Sequence, residues 1–182
     1  MIVKKVLHGW LVCGLVGIFL LGFGLSGARA WPWDNAAAKS LTPPFPLPQL
    51  ELASAVEDGG TLSLHGFNGS VMLVNFWATW CQPCVEEMPT LNRLAQELAG
   101  QGLVVIGISM DSGGVKPVRK LTQKMGIAYP LVMGGEKAAK QFGEIIGIPV
   151  TFLVDRHGTV IKRYDGPRDY AVFKADIEAV LQ

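Results

Sequence analysis

The stretch that decides the fold is Val71-Met72-Leu73-Val74-Asn75-Phe76-Trp77-Ala78-Thr79-Trp80-Cys81-Gln82-Pro83-Cys84. Val71 to Phe76 is a continuous apolar run of the kind that forms a strand buried on both faces. From Pro83 to Leu98 the apolar residues instead recur at Met88, Leu91, Leu94 and Leu98, the spacing of one helix face. The Cys-x-x-Cys pair therefore falls where a strand gives way to a helix. A helix N-terminus carries partial positive charge and unpaired N–H groups, so it stabilises a thiolate on Cys81. Cys84 lies one turn further on and can close a disulfide with Cys81, and such a pair accepts or delivers two electrons.

Outward from this stretch the pattern keeps alternating. Upstream, Glu51 to Gly69 has Gly59-Gly60 and His65-Gly66 between short apolar segments and reads as a small hairpin. Downstream, Leu103 to Ser109 reads as a second buried strand and Val115 to Met125 as a helix. Tyr129 to Met133 then reads as a short strand and Glu136 to Phe142 as a short helix. Thr151 to Val154 and Val160 to Tyr164 flank Asp155-Arg156-His157-Gly158, a hairpin signal, and Asp169 to Leu181 closes as a helix. The expected architecture is α/β: a central mixed β-sheet flanked by helices, with an N-terminal hairpin extension, in one domain over residues 49–182. Residues 31–48 hold Pro32, Pro43, Pro44, Pro46 and Pro48 and read as a stiff linker.

Residues 1–30 of the 182 follow a different rule. Lys4 and Lys5 precede an uncharged, apolar stretch from Val6 to Leu25, and Ala28-x-Ala30 fits a signal-peptidase site before Trp31. The segment reads as a signal peptide cleaved after Ala30 or, uncleaved, as a membrane anchor through residues 6–25, since about twenty apolar residues span a bilayer. The lysines would stay in the cytoplasm and the domain would lie outside, in a periplasmic or extracytoplasmic location. Beyond residue 30, removal of Lys4, Lys5 and Arg29 from the 16 basic residues leaves thirteen against 15 acidic ones. A net charge of −2 gives no footprint for nucleic acid. Of the three cysteines, Cys13 belongs to the N-terminal segment, so the domain keeps Cys81 and Cys84 alone. A disulfide scaffold would use more cysteines, widely spread, and a bridge over two residues constrains the unfolded chain little. The pair is there for chemistry.

The segment Val74 to Cys84 resembles the active-site segment of the thioredoxin superfamily, most of all that of the exported TlpA/ResA-like thiol–disulfide oxidoreductases. Pro89, five residues past Cys84, matches the proline that kinks the family's active-site helix. Gly147-Ile148-Pro149, followed by Thr151-Phe152-Leu153-Val154-Asp155, is similar to the family's cis-proline loop and the next strand. The resemblance covers about Phe45 to Leu181. It implies a thioredoxin-like fold, a catalytic set of Cys81, Cys84 and Glu87, and a substrate-binding set of Trp80, Ile148 and Pro149. Gln82 and Pro83 would form the active-site loop, with no metal and no cofactor beyond the redox-active disulfide. Cys81 is expected to be the exposed nucleophile and Cys84 the buried resolving thiol. Trp80 would shield the disulfide face, Trp77 would pack under the loop, and Ile148 would meet an extended substrate backbone.

Asn75 departs from the thioredoxins themselves, which carry an aspartate here as proton acceptor for the second cysteine. Glu87, three residues past Cys84 on the same helix face, resembles the acidic residue of many TlpA/ResA-like proteins and would take that role. Strong oxidants of the superfamily often carry a histidine between the cysteines; neutral Gln82-Pro83 implies a reducing or intermediate potential. The implied partners are extracytoplasmic disulfide-containing proteins, such as apocytochrome c or copper-delivery proteins, and a membrane thiol-electron donor. Val150 stands where one branch devoted to cytochrome c maturation carries an acidic residue, which weakens that assignment. The alternatives are a periplasmic disulfide oxidase or isomerase on the same fold, or a non-catalytic peptide-binding or chaperone module. A zinc site completed by His65 and His157 lacks the expected histidine spacing, and a peroxidase would need Pro-x-x-x-Thr-x-x-Cys.

Overall fold

The computed structural model describes residues 39–182 apart from 57–59 and 144, with side chains from residue 44 onward. The expectations for residues 1–30, a signal or an anchor, lie outside the described residues. Among the described residues, no helix is long and apolar enough to cross a membrane.

The strands are β1 (Lys39–Pro46), β2 (Glu51–Ser54), β3 (Thr61–Ser63), β4 (Val71–Trp77), β5 (Leu103–Ser109), β6 (Leu131–Met133), β7 (Val150–Val154) and β8 (Thr159–Asp165). The helices are α1 (Gln82–Leu98), α2 (Val115–Met125), α3 (Gly135–Gln141) and α4 (Tyr170–Leu181). The strands form one mixed sheet in the order β1-β8-β7-β4-β5-β6-β2-β3. β4 is central, parallel to β5 and antiparallel to β7. All seven of its residues are buried, which is why it reads as an unbroken apolar run.

Alternation along β4 divides the core. Val71, Leu73 and Trp77 pack with Met88, Leu91 and Leu94 of α1, Val118 of α2, and Phe173 and Ile177 of α4. Met72, Val74 and Phe76 face the other way, toward Ala138 and Ala139 of α3 and the ring cluster of Phe142 and Phe152. Helices thus cover both faces. Asn75 is the polar member of the β4 face turned toward α1, paired in register with Gly107 on β5 and Thr151 on β7.

Two differences from the sequence reading concern the N-terminal part. The proline-rich stretch expected as a linker is a strand from Lys39 to Pro46, paired with β8. As the outermost strand among the described residues it donates hydrogen bonds on one side only, so prolines are tolerated there. Its register shifts between Ser40 and Phe45, across Pro43-Pro44. The expected hairpin is present as β2–β3, but β1 precedes it at the opposite end of the sheet, and β2 pairs with β6. Boundaries elsewhere agree within a residue or two. β6 starts at Leu131 rather than Tyr129, directly after Pro130.

Candidate active site

β4 ends at Trp77, the four residues Ala78 to Cys81 turn the corner, and α1 begins at Gln82. Cys81 is the N-cap of α1, with extended backbone (φ −93°, ψ 99°), and its Sγ accepts from the Cys84 N–H at 3.3 Å. Capping by sulfur places Cys81 where the helix's free N–H groups converge. Pro83 occupies the first turn, where its missing N–H costs no helical hydrogen bond. Pro89 sits inside α1 and leaves the Val85 carbonyl without its usual donor.

Cys81 and Cys84 form a disulfide, Sγ–Sγ 2.02 Å. Cys81 is 6% exposed and Cys84 2%. The expected order of accessibility holds, but Cys81 is not the open nucleophile that the sequence reading anticipates. Its Sγ lies 3.5 Å from the Ile148 carbonyl, across from the cis Ile148–Pro149 peptide. What stands open is the surround. Trp80 (70% exposed) and Ile146 (88%) flank a groove of about 540 Å³ that also touches Pro83, Met110, Ile148 and Glu136. Gln82 and Pro83 are exposed at its lip, and the Gln82 amide donates to Glu86 at 2.8 Å. Trp77 is fully buried below the corner.

Behind the disulfide, the inner face of α1 carries Glu87, 4% exposed. One carboxylate oxygen accepts from the Arg168 backbone N–H at 2.7 Å, the other from the Asn75 amide at 3.3 Å. The Asn75 amide also donates to the Thr151 hydroxyl at 2.9 Å. Burial pushes the Glu87 carboxyl up from 4.5 to about 7, against the opposing pull of the Arg168 N–H, the Arg168 charge and the Asn75 amide. Glu87 therefore changes protonation near neutrality. Asn75, which cannot take a proton, holds the group that can. Glu87 also lines a recess of about 390 Å³, with Pro83, Thr90, Pro167 and Arg168, on the α4 side of α1.

The structure thus gathers Trp80, Cys81, Gln82, Pro83 and Ile148 around one groove, with Cys84 bonded to Cys81 beneath it, Pro149 next in chain to Ile148, and Glu87 buried behind the pair. Sequence reasoning missed Thr151, Arg168, Ile146 and Glu136. Thr151 could have been found, since an antiparallel pairing of the two buried strands sets it beside Asn75. Arg168 acts on Glu87 through its main-chain N–H and its charge, from a position 81 residues away that local sequence does not mark. His65 Nε2 lies 3.2 Å from the Leu47 carbonyl, and no metal-binding group of three or more His, Cys, Asp or Glu occurs among the described residues.

The AhpC/TSA family profile matches residues 42–163. Thiol-disulfide oxidoreductase ResA of Bacillus thuringiensis subsp. konkukian is 32% identical over 111 residues, 60% of this chain and 62% of that protein. The aligned stretch therefore spans less than two thirds of that relative. The ResA protein of Geobacillus thermodenitrificans is 28% identical over 144 residues, 79% of this chain and 78% of its own. Among solved structures, a thiol:disulfide interchange protein of the thioredoxin family from Chlorobium tepidum superposes with TM-score 0.69 at 30% identity, covering 76% of this chain and 97% of that one. A secreted thiol-disulfide isomerase from Corynebacterium glutamicum shares the fold, with TM-score 0.74 at 22% identity over 84% and 95% of the two chains. With a helix-capping cysteine pair at the end of its central strand, the chain belongs to the AhpC/TSA family and has a thioredoxin-like fold.

Proposed function

We propose that this protein is an extracytoplasmic thiol–disulfide oxidoreductase that reduces disulfides in other proteins. The observation that carries the reading is the Cys81–Cys84 disulfide at the cap of α1, facing the Ile148–Pro149 loop with Glu87 buried behind it. Starting from the dithiol, the Cys81 thiolate attacks one sulfur of a substrate disulfide. A Cys81–substrate bond forms, the substrate S–S bond breaks, and the departing substrate thiolate takes a proton. Cys84 then gives its proton to Glu87, directly or through water, and attacks the Cys81 sulfur. The mixed disulfide breaks, the Cys81–Cys84 bond forms, and the second substrate thiolate leaves and is protonated. Two electrons pass from the protein to the substrate, and no dissolved cofactor takes part.

Trp80, Ile146 and Ile148 would receive an apolar stretch of extended chain beside the attacked cysteine, and Glu136 would favour a basic neighbour. The N-terminal pattern of Lys4, Lys5, the Val6–Leu25 run and Ala28-x-Ala30 supports export or anchoring. Clients would be extracytoplasmic proteins with unwanted disulfides, apocytochrome c and copper-delivery proteins among them. A membrane thiol-electron carrier would restore the dithiol. Equilibration of the full chain in a defined thiol buffer tests the direction of flow. A potential near or below about −230 mV supports a reductant, whereas one near about −120 mV would make the protein an oxidant. Cys84→Ala should accumulate mixed disulfides with its clients, because the resolving thiol is gone.

A further inference from the structure

The corner that carries Trp80 and Cys81 outward makes one turn bond of its own, from the Cys81 N–H to the Ala78 carbonyl at 3.1 Å. Its other fastening is on the neighbouring strand. Asp111, two residues past the end of β5, holds Thr79 with both carboxylate oxygens. Oδ2 accepts from the Thr79 N–H at 3.0 Å and Oδ1 from the Thr79 hydroxyl at 2.5 Å. Oδ2 also accepts from the Ser109 hydroxyl at 2.8 Å, and the Asp111 N–H donates to Ser109 Oγ at 3.0 Å. Ser109 is fully buried and pairs in register with Trp77, while the Met110 N–H donates to the Trp77 carbonyl at 2.8 Å. The Asp111 side chain thus ties the outer corner to a rigid point of the sheet at two atoms of Thr79.

We propose that Asp111 is a positioning residue for Cys81: by clamping Thr79 it fixes where the cysteine two residues later meets the N-terminus of α1 and the Ile148 carbonyl. The proposal rests on the reading of Cys81–Cys84 as the redox centre. Thiolate stabilisation by a helix terminus fades beyond the first turn, and misplacement of a reacting group by about 1 Å can cost on the order of 100-fold in rate. A loosened corner therefore raises the Cys81 pKa and slows its attack. The side chain's shape matters here more than its charge. An amide at this position keeps the Thr79 N–H and Ser109 bonds through its oxygen, and the Thr79 hydroxyl turns to accept from its nitrogen.

The test compares Asp111→Ala, Asp111→Asn and Thr79→Val in the full chain. The readouts are the pH dependence of Cys81 alkylation in the dithiol and the rate of reduction of a disulfide-bonded test protein. Denaturant midpoints of the disulfide forms are measured separately. Asp111→Ala should slow reduction at pH 7 about tenfold and raise the Cys81 pKa, Thr79→Val should do so to a lesser degree, and Asp111→Asn should stay within about twofold of the parent. A change in midpoint alone, with pKa and rate held in both Asp111→Ala and Thr79→Val, would overturn the clamp. So would an Asn variant as impaired as the Ala variant, since charge would then be the cause. If the parent protein reduces no disulfide, the oxidoreductase reading itself falls, and the clamp with it.

Discussion

Replacement of Glu87 by Gln tests whether a titrating carboxyl sits behind the disulfide. The carboxyl is pushed from 4.5 to about 7 chiefly by burial, so the folded protein binds this proton more tightly than the unfolded chain does. The stability that Glu87 confers is complete below about pH 4.5 and is lost as pH rises through about 7. At about 1.4 kcal/mol per pH unit, that interval corresponds to roughly 3 kcal/mol, an order-of-magnitude figure. Gln keeps the acceptor for the Arg168 N–H. Asn75 can turn its oxygen toward the new amide and toward Thr151, whose hydroxyl reverses from acceptor to donor. The variant should therefore fold without the pH penalty. The assay is urea unfolding of the disulfide form of parent and variant from pH 4 to pH 8. The stability difference should move in favour of the Glu87→Gln variant by roughly 3 kcal/mol between the two ends. A difference that stays flat, or that moves in favour of the parent as pH rises, would refute the reasoning. In turnover, the same variant should lose any pH dependence near 7 that Glu87 imparts as the proposed proton acceptor for Cys84.

Three further substitutions probe the surroundings. Thr151→Val leaves the buried Asn75 amide short of an acceptor and should destabilise the fold by about 1–3 kcal/mol in denaturant titration. Gly107→Ala would set a methyl 2.6 Å from Leu131 Cδ2 and 3.0 Å from Trp77 Nε1, an overpacking expected to cost about 1–3 kcal/mol and to lower the thermal midpoint. Trp80→Ala removes an exposed ring, so stability should stay within about 0.5 kcal/mol. Its KM for a protein disulfide should rise several-fold while that for a small disulfide barely changes, because a small substrate does not reach across the groove.

The elements with a clear period were legible from residues alone. β4, β5, α1 and α2 fall where apolar runs and helical spacing put them, and the Cys-x-x-Cys pair marks the junction that α1 makes real. The proline-rich strand was not legible, because a strand hydrogen-bonded along one side tolerates a composition that otherwise signals extended linker. The exposure of Cys81 was misjudged for a related reason. Burial at a helix cap is decided by what packs over it, here the Ile148 carbonyl from 67 residues away. The polar support of the site divides in the same manner. Glu87 shares a helix face with Cys84 and could be proposed from spacing. Arg168 and Asp111 reach the site through tertiary contacts that local sequence does not encode.

The two ends of the sheet also bear on how a protein with the proposed function would survive its clients. A partner with open cysteines presents extended, unpaired backbone, and an exposed strand edge would pair with it indiscriminately. Here one flank is β1, in which three of eight residues are prolines without an N–H, and the other is β3, three residues long. Among the described residues, neither flank offers a long, fully hydrogen-bonding ladder to a foreign strand. On the function proposed above, an incoming chain would align on the Ile148–Pro149 loop, beside the Cys81 sulfur, rather than along a strand edge.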